Sequence, residues 1–292
     1  MTTPLPPSPD GLPRILALQR ALAGLAFAPE AADFQADPRA FGTARGLGPG
    51  DREALFRWRD RLLFYREGVR GAVWEPLEGI YPLALALLAR DGALEACRTA
   101  FLAARPFQSP FHRDIAATFV GWLADTGWGR ERWPALLELA HFELVRILVE
   151  HGRDDVPGPE DLHPDPRPGD LALLRPSTQV LAYGHRVAEA TLDWPEPVPG
   201  PCHLLAARGP DGYVRWRELT EVAAALLVRA QTTPMAEAAA ALGLDDGPGA
   251  LRFLEELRVW GALAGFTDAG RLPRGPDACP TRSGPPPAGA PS

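Results

Sequence analysis

Histidine and cysteine side chains are the first candidates for chemistry in this sequence, which contains six of the former and three of the latter. No two histidines have the i, i+4 spacing that lets one face of a helix bind a metal ion. No two cysteines fall within four residues of each other. From these spacings we expect no metal site and no cofactor.

Nucleophilic catalysis requires a base placed between a nucleophile and a carboxylate. Ser109, His112 and Asp114 have suitable side chains, but three residues at one helix start rarely reach that arrangement. Cys202 and His203 are neighbours on a predicted strand, so their side chains should point to opposite faces. The sequence therefore predicts a protein that is not an enzyme.

Charge and composition limit the other classes. The net charge of −7 argues against a protein that wraps nucleic acid around its whole surface. All 30 basic residues are arginine, so an arginine at any one position is weak evidence for specific recognition. No apolar run approaches the ~20 residues of a membrane helix, and the N-terminus shows no secretory signal. Three scattered cysteines do not make a disulfide framework. We therefore expect a cytoplasmic protein that does not bind membranes.

Composition also divides the chain into segments. Residues 1–11 and 267–292 are rich in proline or glycine and are predicted to be disordered, whereas 12–152 have helical periodicity. Residues 153–177 read as a linker with one ordered piece at Leu171–Leu174, and 178–266 mix strands with helices. The predicted fold class is α+β, mainly α: a multi-helix N-terminal domain and a smaller C-terminal winged-helix-like or peptide-recognition-like domain.

The second domain is predicted to contain a hairpin, three helices and a final strand. His203–Arg208 and Tyr213–Trp216 flank a tight turn at Gly209–Gly212. The helices are predicted at Glu218–Ala230, Pro234–Leu242 and Ala250–Trp260, with a further strand arm near Val180–Tyr183 and a returning strand at Gly261–Phe266.

Two features have a possible binding role. Arg45–Arg70 contains seven arginines and four acidic residues, with Trp58 and Tyr65 among them and Trp74 shortly after; it is either a solvated helix face or an interface. The hairpin Leu204–Trp216 is either purely structural or leaves an edge strand that accepts an extended peptide. The candidate peptide-binding edge is Leu204, Leu205, Ala206, Ala207 and Arg208.

A resemblance to a known family is carried by Tyr65-Arg66-Glu67-Gly68-Val69-Arg70-Gly71 followed by Leu77 and Tyr81-Pro82. This pattern resembles the HvfC/BufC-type proteins, relatives of the methanobactin-biosynthesis accessory subunit. The similarity extends to Arg45–Leu47, Glu143, Leu204–Arg208 and Val214–Leu219, and covers most of residues 12–266.

The resemblance implies a non-catalytic partner of a multinuclear-iron TIM-barrel enzyme that oxidises cysteines of a ribosomally made precursor peptide. Such a subunit binds the leader of the peptide and presents the core to the iron enzyme. The motif residues Tyr65, Arg70, Tyr81, Pro82 and Glu143 are expected to divide between structure and partner interface. One structural possibility is an Arg70–Glu143 ion pair.

The alternative is a DNA-binding transcriptional regulator, since the N-terminal domain of that family has also been catalogued as DNA-binding. Charge disfavours this reading for the second domain. Pro168–Phe266 contains eight arginines against twelve acidic residues, and the candidate recognition helix sets Arg252 and Arg258 against Glu255 and Glu256. A surface of this kind neutralises few phosphates and should bind DNA poorly.

Overall fold

The computed structural model describes residues 11–27, 31–104, 112–155, 161–244 and 247–271. In these residues the chain is mainly helical, with two small antiparallel sheets, which confirms the predicted fold class. Contacts divide the chain into a first unit, residues 1–126, and a second unit, residues 127–292. The segments predicted to be disordered lie outside the described residues, apart from residue 11 and residues 267–271.

The first unit is built from helices throughout its described part. It contains α1 (Gly11–Phe27), α2 (Ala31–Ala36), α3 (Pro38–Ala44), α4 (Pro49–Arg57), α5 (Arg59–Ile80), α6 (Pro82–Arg90), α7 (Leu94–Ala104) and α8 (His112–Thr126). Local signals set several of the starts. Asp37 caps α3 by accepting hydrogen bonds from the backbone N–H groups of Arg39 and Ala40, and Pro82 occupies the first turn of α6.

Two apolar clusters hold the first unit together. One is formed by α1 to α4 and contains Ala21, Leu25, Phe34, Phe41, Leu47 and Leu55. The other is aromatic and contains Trp74, Tyr81, Phe101, Phe119 and Trp122, with ring centroids 5.1–6.5 Å apart.

The second unit combines helices with both sheets. Its elements are α9 (Leu136–His151), β1 (Asp170–Leu174), β2 (Gln179–His185), β3 (Pro199–Arg208), β4 (Val214–Leu219), α10 (Glu221–Arg229), α11 (Met235–Ala240), α12 (Gly247–Trp260) and β5 (Leu263–Asp268). The predicted strands and helices of this region are therefore present, with boundaries shifted by a few residues. A short 3-10 helix at Val187–Glu189 follows β2.

The three-stranded sheet has the order β2-β3-β4 and is covered on both faces. On one face, α9 packs through contacts such as Phe142 with Trp216 and His141 with Tyr183. On the other face, α10 and α12 bury an apolar core that includes Leu205, Ala207, Leu219, Leu227, Leu254 and Leu257. The helical periodicity of residues 12–152 predicts that α9 belongs to the first domain, but its contacts place it in the second unit because its apolar side covers this sheet.

The second sheet pairs β1 with β5, starting from Asp170 opposite Asp268. β1 lies inside the predicted linker, at the short ordered piece expected there. The backbone of His163 forms two hydrogen bonds of 3.0 Å with Phe266, so part of the linker borders β5.

In the described parts of the chain, no single helix has both the length and the apolar composition to cross a membrane. Only α5 and α6 taken together meet that test, and they are bent by 104° where they join.

Candidate functional site

Leu204–Arg208, the predicted peptide-binding edge, is not an edge. These residues belong to β3, the middle strand of its sheet, and are paired with β4 from Arg208 opposite Val214 to Leu204 opposite Glu218. Leu204, Leu205 and Ala206 are also paired with β2 on the other side. The prediction of an edge strand at these residues is therefore wrong, because most of their backbone groups are already used within the sheet.

The sequence carried a signal for this central position. Leu204, Leu205, Ala206 and Ala207 form an uninterrupted apolar run, and each is at most 1% exposed. Such a run is typical of a strand that is covered on both faces. A strand with one solvent-exposed face alternates apolar and polar residues instead. β4 has that alternating pattern, VRWREL, and it is mostly half-buried.

The side chain of Arg208 also forms hydrogen bonds and an ion pair within the second unit. Its guanidinium donates hydrogen bonds of 3.0 Å to the carbonyls of Glu150 and Gly152 at the C-terminal end of α9. It also pairs with Asp154 at 2.6 Å. Arg208 therefore satisfies carbonyls that a helix end leaves without partners, and it opposes the negative end of the helix dipole.

The outer edge of β2 is partly closed by a carboxylate. Glu138 of α9 accepts 3.0 Å hydrogen bonds from the backbone N–H groups of Gly184 and His185, and its Oε2 also lies 2.9 Å from His185 Nδ1. An incoming strand would have to displace these bonds at the end of β2. This edge is therefore a poor acceptor for a peptide.

Both edges of the β1–β5 sheet are also occupied. The N–H of Ala172 on β1 donates to the carbonyl of Ala230 at 2.7 Å. The other edge of β5 is bridged by His163 through its two bonds with Phe266. Neither strand offers the continuous row of unpaired backbone groups that an added strand requires.

The outer edge of β4 has no strand beside it among the described residues. β4 pairs with β3 along one side, and no described residue forms a backbone bond with its other side. The N–H of Gly209 donates to the carbonyl of Tyr213 at 2.8 Å, and bonded and non-bonded pairs alternate from there. This alternation directs the backbone groups of Val214, Trp216 and Glu218 outwards.

Side chains on both faces border this edge. Trp216 packs against Phe142 of α9 with ring centroids 4.5 Å apart. On the opposite face, the Arg217 guanidinium lies 5.6 Å from the centre of the Phe253 ring and 3.4 Å from Glu256, both on α12. The β4 edge is thus flanked by an aromatic side chain on one face and a mixed-charge helix on the other.

In the first unit, Tyr81 is a structural member of the sequence motif. It is buried in the aromatic cluster, and its hydroxyl donates a 2.7 Å hydrogen bond to the carbonyl of Ala116 on α8. Pro82, the next motif residue, is exposed in the first turn of α6. Tyr81 therefore fixes α8 against the start of α6 and has no free polar group to offer a partner.

Arg70 is buried on α5, and its guanidinium lies 3.9 Å from Glu95 of α7. Burial lowers the pKa of Arg70, and the neighbouring Arg66 charge acts in the same direction. Glu143 is buried on α9 in the second unit. The proposed Arg70–Glu143 ion pair joins residues of different units and stays a prediction.

Tyr65 is an exposed aromatic residue of the motif, and it has exposed aromatic neighbours. Tyr65 is 62% exposed and its neighbour Phe64 is 83% exposed, on the same stretch of α5. Trp58, just before α5, is also exposed, and the Arg61 guanidinium lies 4.5 Å from its ring centre. We call Trp58, Arg61, Phe64 and Tyr65 the α5 aromatic patch.

The combination of Ser109, His112 and Asp114 that was weighed for nucleophilic chemistry stays untested, because Ser109 and the His112 side chain lie outside what the structure describes. Cys202 is buried, and burial raises the pKa of its thiol, as it does for Cys97, whose pKa rises to about 12. A thiol held in its neutral form is a weak nucleophile.

Comparison with known proteins yields no relative to set beside this geometry: no protein-family model matches the chain, and no curated protein matches it. The resemblance described above therefore stays a prediction based on the residues that carry it.

Proposed function

We propose that this chain is a non-catalytic accessory subunit that binds the leader of a ribosomally made precursor peptide. It presents the peptide to a multinuclear-iron TIM-barrel enzyme, which modifies the cysteines of the core. The observation that carries the proposal is the outer edge of β4, along which no described residue forms a backbone hydrogen bond.

Binding at this edge follows from ordinary sheet chemistry. An extended leader segment forms backbone hydrogen bonds with Val214, Trp216 and Glu218 and becomes a fourth strand of the sheet. Alternate leader side chains then meet Trp216 on one face and the Arg217–Phe253 pair on the other. Backbone bonds provide affinity for any extended segment, and the flanking side chains select among sequences.

The α5 aromatic patch supports a second contact, with the enzyme partner. Exposed aromatic side chains beside arginine are enriched at protein interfaces, and Phe64 is too exposed to stabilise the first unit by burial. In this proposal the second unit binds the peptide and the first unit binds the enzyme. In this proposal the chain works in the cytoplasm, without a catalytic residue or cofactor of its own.

DNA binding is the competing function. In the second unit Arg217 lies against Glu256, so part of the positive charge near α12 is already neutralised by a carboxylate. Acidic residues also outnumber arginines between Pro168 and Phe266. A gel shift at low salt that shows tight, length-dependent DNA binding would favour this function over peptide binding.

The decisive experiment changes one backbone group at the β4 edge. Glu218→Pro removes an outward-facing N–H, whereas Glu218→Ala keeps that N–H and loses the same side chain. Binding of a labelled leader segment is measured by fluorescence anisotropy for both variants and the natural chain. We expect Glu218→Pro to weaken binding about tenfold or more, and Glu218→Ala to change it little.

The folded state of each variant is checked by circular dichroism and thermal melting, since proline is tolerated on edge strands but not on central ones. Equal leader affinity for the folded proline and alanine variants contradicts binding at β4. For the partner, co-expression with the iron enzyme and size-exclusion chromatography should give a stable complex. Separate elution at micromolar concentration contradicts the accessory role.

A further inference from the structure

Three potential metal ligands, two from the segment around β1 and one from the distant β5, meet on one face of the β1–β5 sheet. Asp170 at the start of β1 lies directly opposite Asp268 at the end of β5. His163 lies opposite Phe266, two residues from Asp268, on the other side of β5. Residues two apart on a strand, and residues directly opposite each other, share a face. One ligand atom from each of the three side chains lies within 4.8 Å of the other two.

The orientation of His163 is fixed in the way that metal-binding histidines usually are. Its Nδ1 lies 2.8 Å from the backbone carbonyl of Asp165, and this carbonyl can only accept, so Nδ1 carries the hydrogen. Its Nε2 is buried and has no hydrogen-bond partner among the described groups, although it lies 3.3 Å from Asp170 Oδ2. Metal-binding histidines usually donate one ring N–H to a carbonyl in this way, which fixes the ring and directs the other nitrogen towards the ion.

The carboxylates of Asp170 and Asp268 lie on the same face of the strand pair. Asp170 is buried at 2% exposure, and its Oδ2 accepts a 2.8 Å bond from the backbone N–H of Arg167. Asp268 is exposed on the paired strand. Like charges directly opposite each other destabilise a strand pair, and a cation bound between these carboxylates and His163, 3.3 Å from Asp170, would offset their repulsion.

We propose that His163, Asp170 and Asp268 bind one divalent transition-metal ion. One imidazole nitrogen with two carboxylate oxygens suits Zn²⁺, and Mn²⁺ less closely, better than Mg²⁺, which prefers oxygen ligands and water. Ligands at about 2.0–2.2 Å from an ion in tetrahedral geometry lie roughly 3.3–3.6 Å apart, so ligand atoms within 4.8 Å of one another close on the ion by a movement of about an ångström, which the exposed Asp268 side chain can make. Three protein ligands leave a fourth position for water or for a partner's ligand.

Metal binding here has a structural consequence that is independent of the peptide site. The ion joins the segment before β1, β1 itself and the end of β5, which are separated by up to about a hundred residues of chain. It also neutralises the buried Asp170 charge. Since a preformed cluster binds an ion only in the folded state, Zn²⁺ raises the melting temperature of the second unit.

The test measures Zn²⁺ binding to the full, tag-free chain by competition with a chromogenic chelator, together with thermal melting with and without Zn²⁺. Asp268→Asn removes one ligand at an exposed position where the fold tolerates the change. Asp165→Asn is the matched control, because it removes one nearby negative charge while keeping the carbonyl that orients His163. Co²⁺ replaces Zn²⁺ in a parallel absorption measurement that reports on the coordination geometry.

We expect one Zn²⁺ per chain, a higher melting temperature with Zn²⁺, and about tenfold or weaker binding for Asp268→Asn with Asp165→Asn unchanged. His163→Gln should lose binding to a similar extent. Equal Zn²⁺ affinity in the natural chain and Asp268→Asn overturns the proposal, because the ion then binds elsewhere. Absence of binding to the natural chain at tens of micromolar Zn²⁺ overturns it as well.

Discussion

Arg208 on β3 and Asp154, which follows α9, form an ion pair of 2.6 Å within the second unit. The same guanidinium donates to two carbonyls at the end of α9, and the other Asp154 oxygen accepts from the backbone N–H of Ser177 at 3.1 Å. One arginine therefore connects the central strand, the helix that covers it and the turn before β2. This connection explains why an arginine predicted to bind peptide is a structural residue.

Replacing Arg208 should destabilise the second unit without weakening leader binding. Arg208→Met keeps most of the aliphatic side chain but leaves the Asp154 carboxylate and two carbonyls without their donor. We expect a loss of about 1–3 kcal/mol in the free energy of unfolding, measured by urea denaturation. Arg229→Met, at an exposed arginine on α10, is the control and should change stability by less than about 0.5 kcal/mol. A large loss of leader affinity in folded Arg208→Met would indicate that the leader binds at β3 and not at β4.

Acid should remove the contribution of Asp154. Burial by itself would raise the pKa of Asp154, but hydrogen bonds from Ser177 and Arg208 outweigh it and hold this pKa below the usual 3.8. Stabilisation by this carboxylate is therefore present above the unfolded-state pKa and is lost as the pH falls through the lower folded-state pKa. The difference in unfolding free energy between the natural chain and Asp154→Asn should be largest near about pH 7 and shrink towards about pH 3. A difference that stays constant over this range contradicts the prediction.

His141 should make the second unit less stable in mild acid. Its Nδ1 lies 2.9 Å from the Tyr183 hydroxyl, and burial lowers the pKa of His141 below 6.5 while it raises the pKa of Tyr183. The folded protein keeps this imidazole neutral, so the unfolded state takes up the proton first and stability falls as the pH drops below 6.5.

His141→Gln should flatten this pH dependence, measured as urea midpoints between about pH 7 and pH 5. His151→Gln, at the exposed end of α9, is the matched control and should keep the dependence of the natural chain. If both variants show the natural pH profile, His141 is not the group responsible.

The motif in the first unit should separate into structural and interface residues. Tyr81→Phe removes one buried hydroxyl that donates to Ala116, and we expect a loss of about 0.5–1.5 kcal/mol in stability. Tyr65→Ala, in the exposed α5 aromatic patch, should leave the melting temperature nearly unchanged and weaken binding to the iron enzyme. The two measurements are melting and affinity for the partner. A stability loss for Tyr65→Ala with unchanged affinity for the partner would show that the α5 aromatic patch stabilises the first unit and does not bind the enzyme.

The buried thiols should be unreactive in the folded chain. Because burial raises the pKa of Cys97 to about 12, very little thiolate is present near neutral pH, and Cys202 is shifted in the same direction. A Cys279→Ser variant retains only these two thiols, and its reaction with a chromogenic disulfide reagent should be slow until denaturant is added. Rapid labelling of the folded variant contradicts the prediction and would show that Cys97 or Cys202 is a reactive thiol.

Much of the architecture is readable from the sequence because it depends on local patterns. Apolar periodicity predicts the helices of the first unit, and the glycines at 209 and 212 predict the turn between β3 and β4. The ordered piece at Leu171–Leu174 stands out within a proline-rich segment and is indeed β1. Each of these features is determined by residues only a few positions apart.

The positions of the binding sites were decided by tertiary structure. Which strand lies at the edge depends on the pairing of β2 with β3. Because β2 and β4 pair with opposite sides of β3, β3 is the central strand and β4 lies at an edge. α9 reads as one more helix of a bundle, but it covers a sheet whose strands come later in the sequence. His163, Asp170 and Asp268 lack any local metal-binding spacing and meet only because β5 returns beside β1. Local periodicity determines the elements, whereas contacts between residues far apart in the chain determine which backbone edges and side chains are brought together.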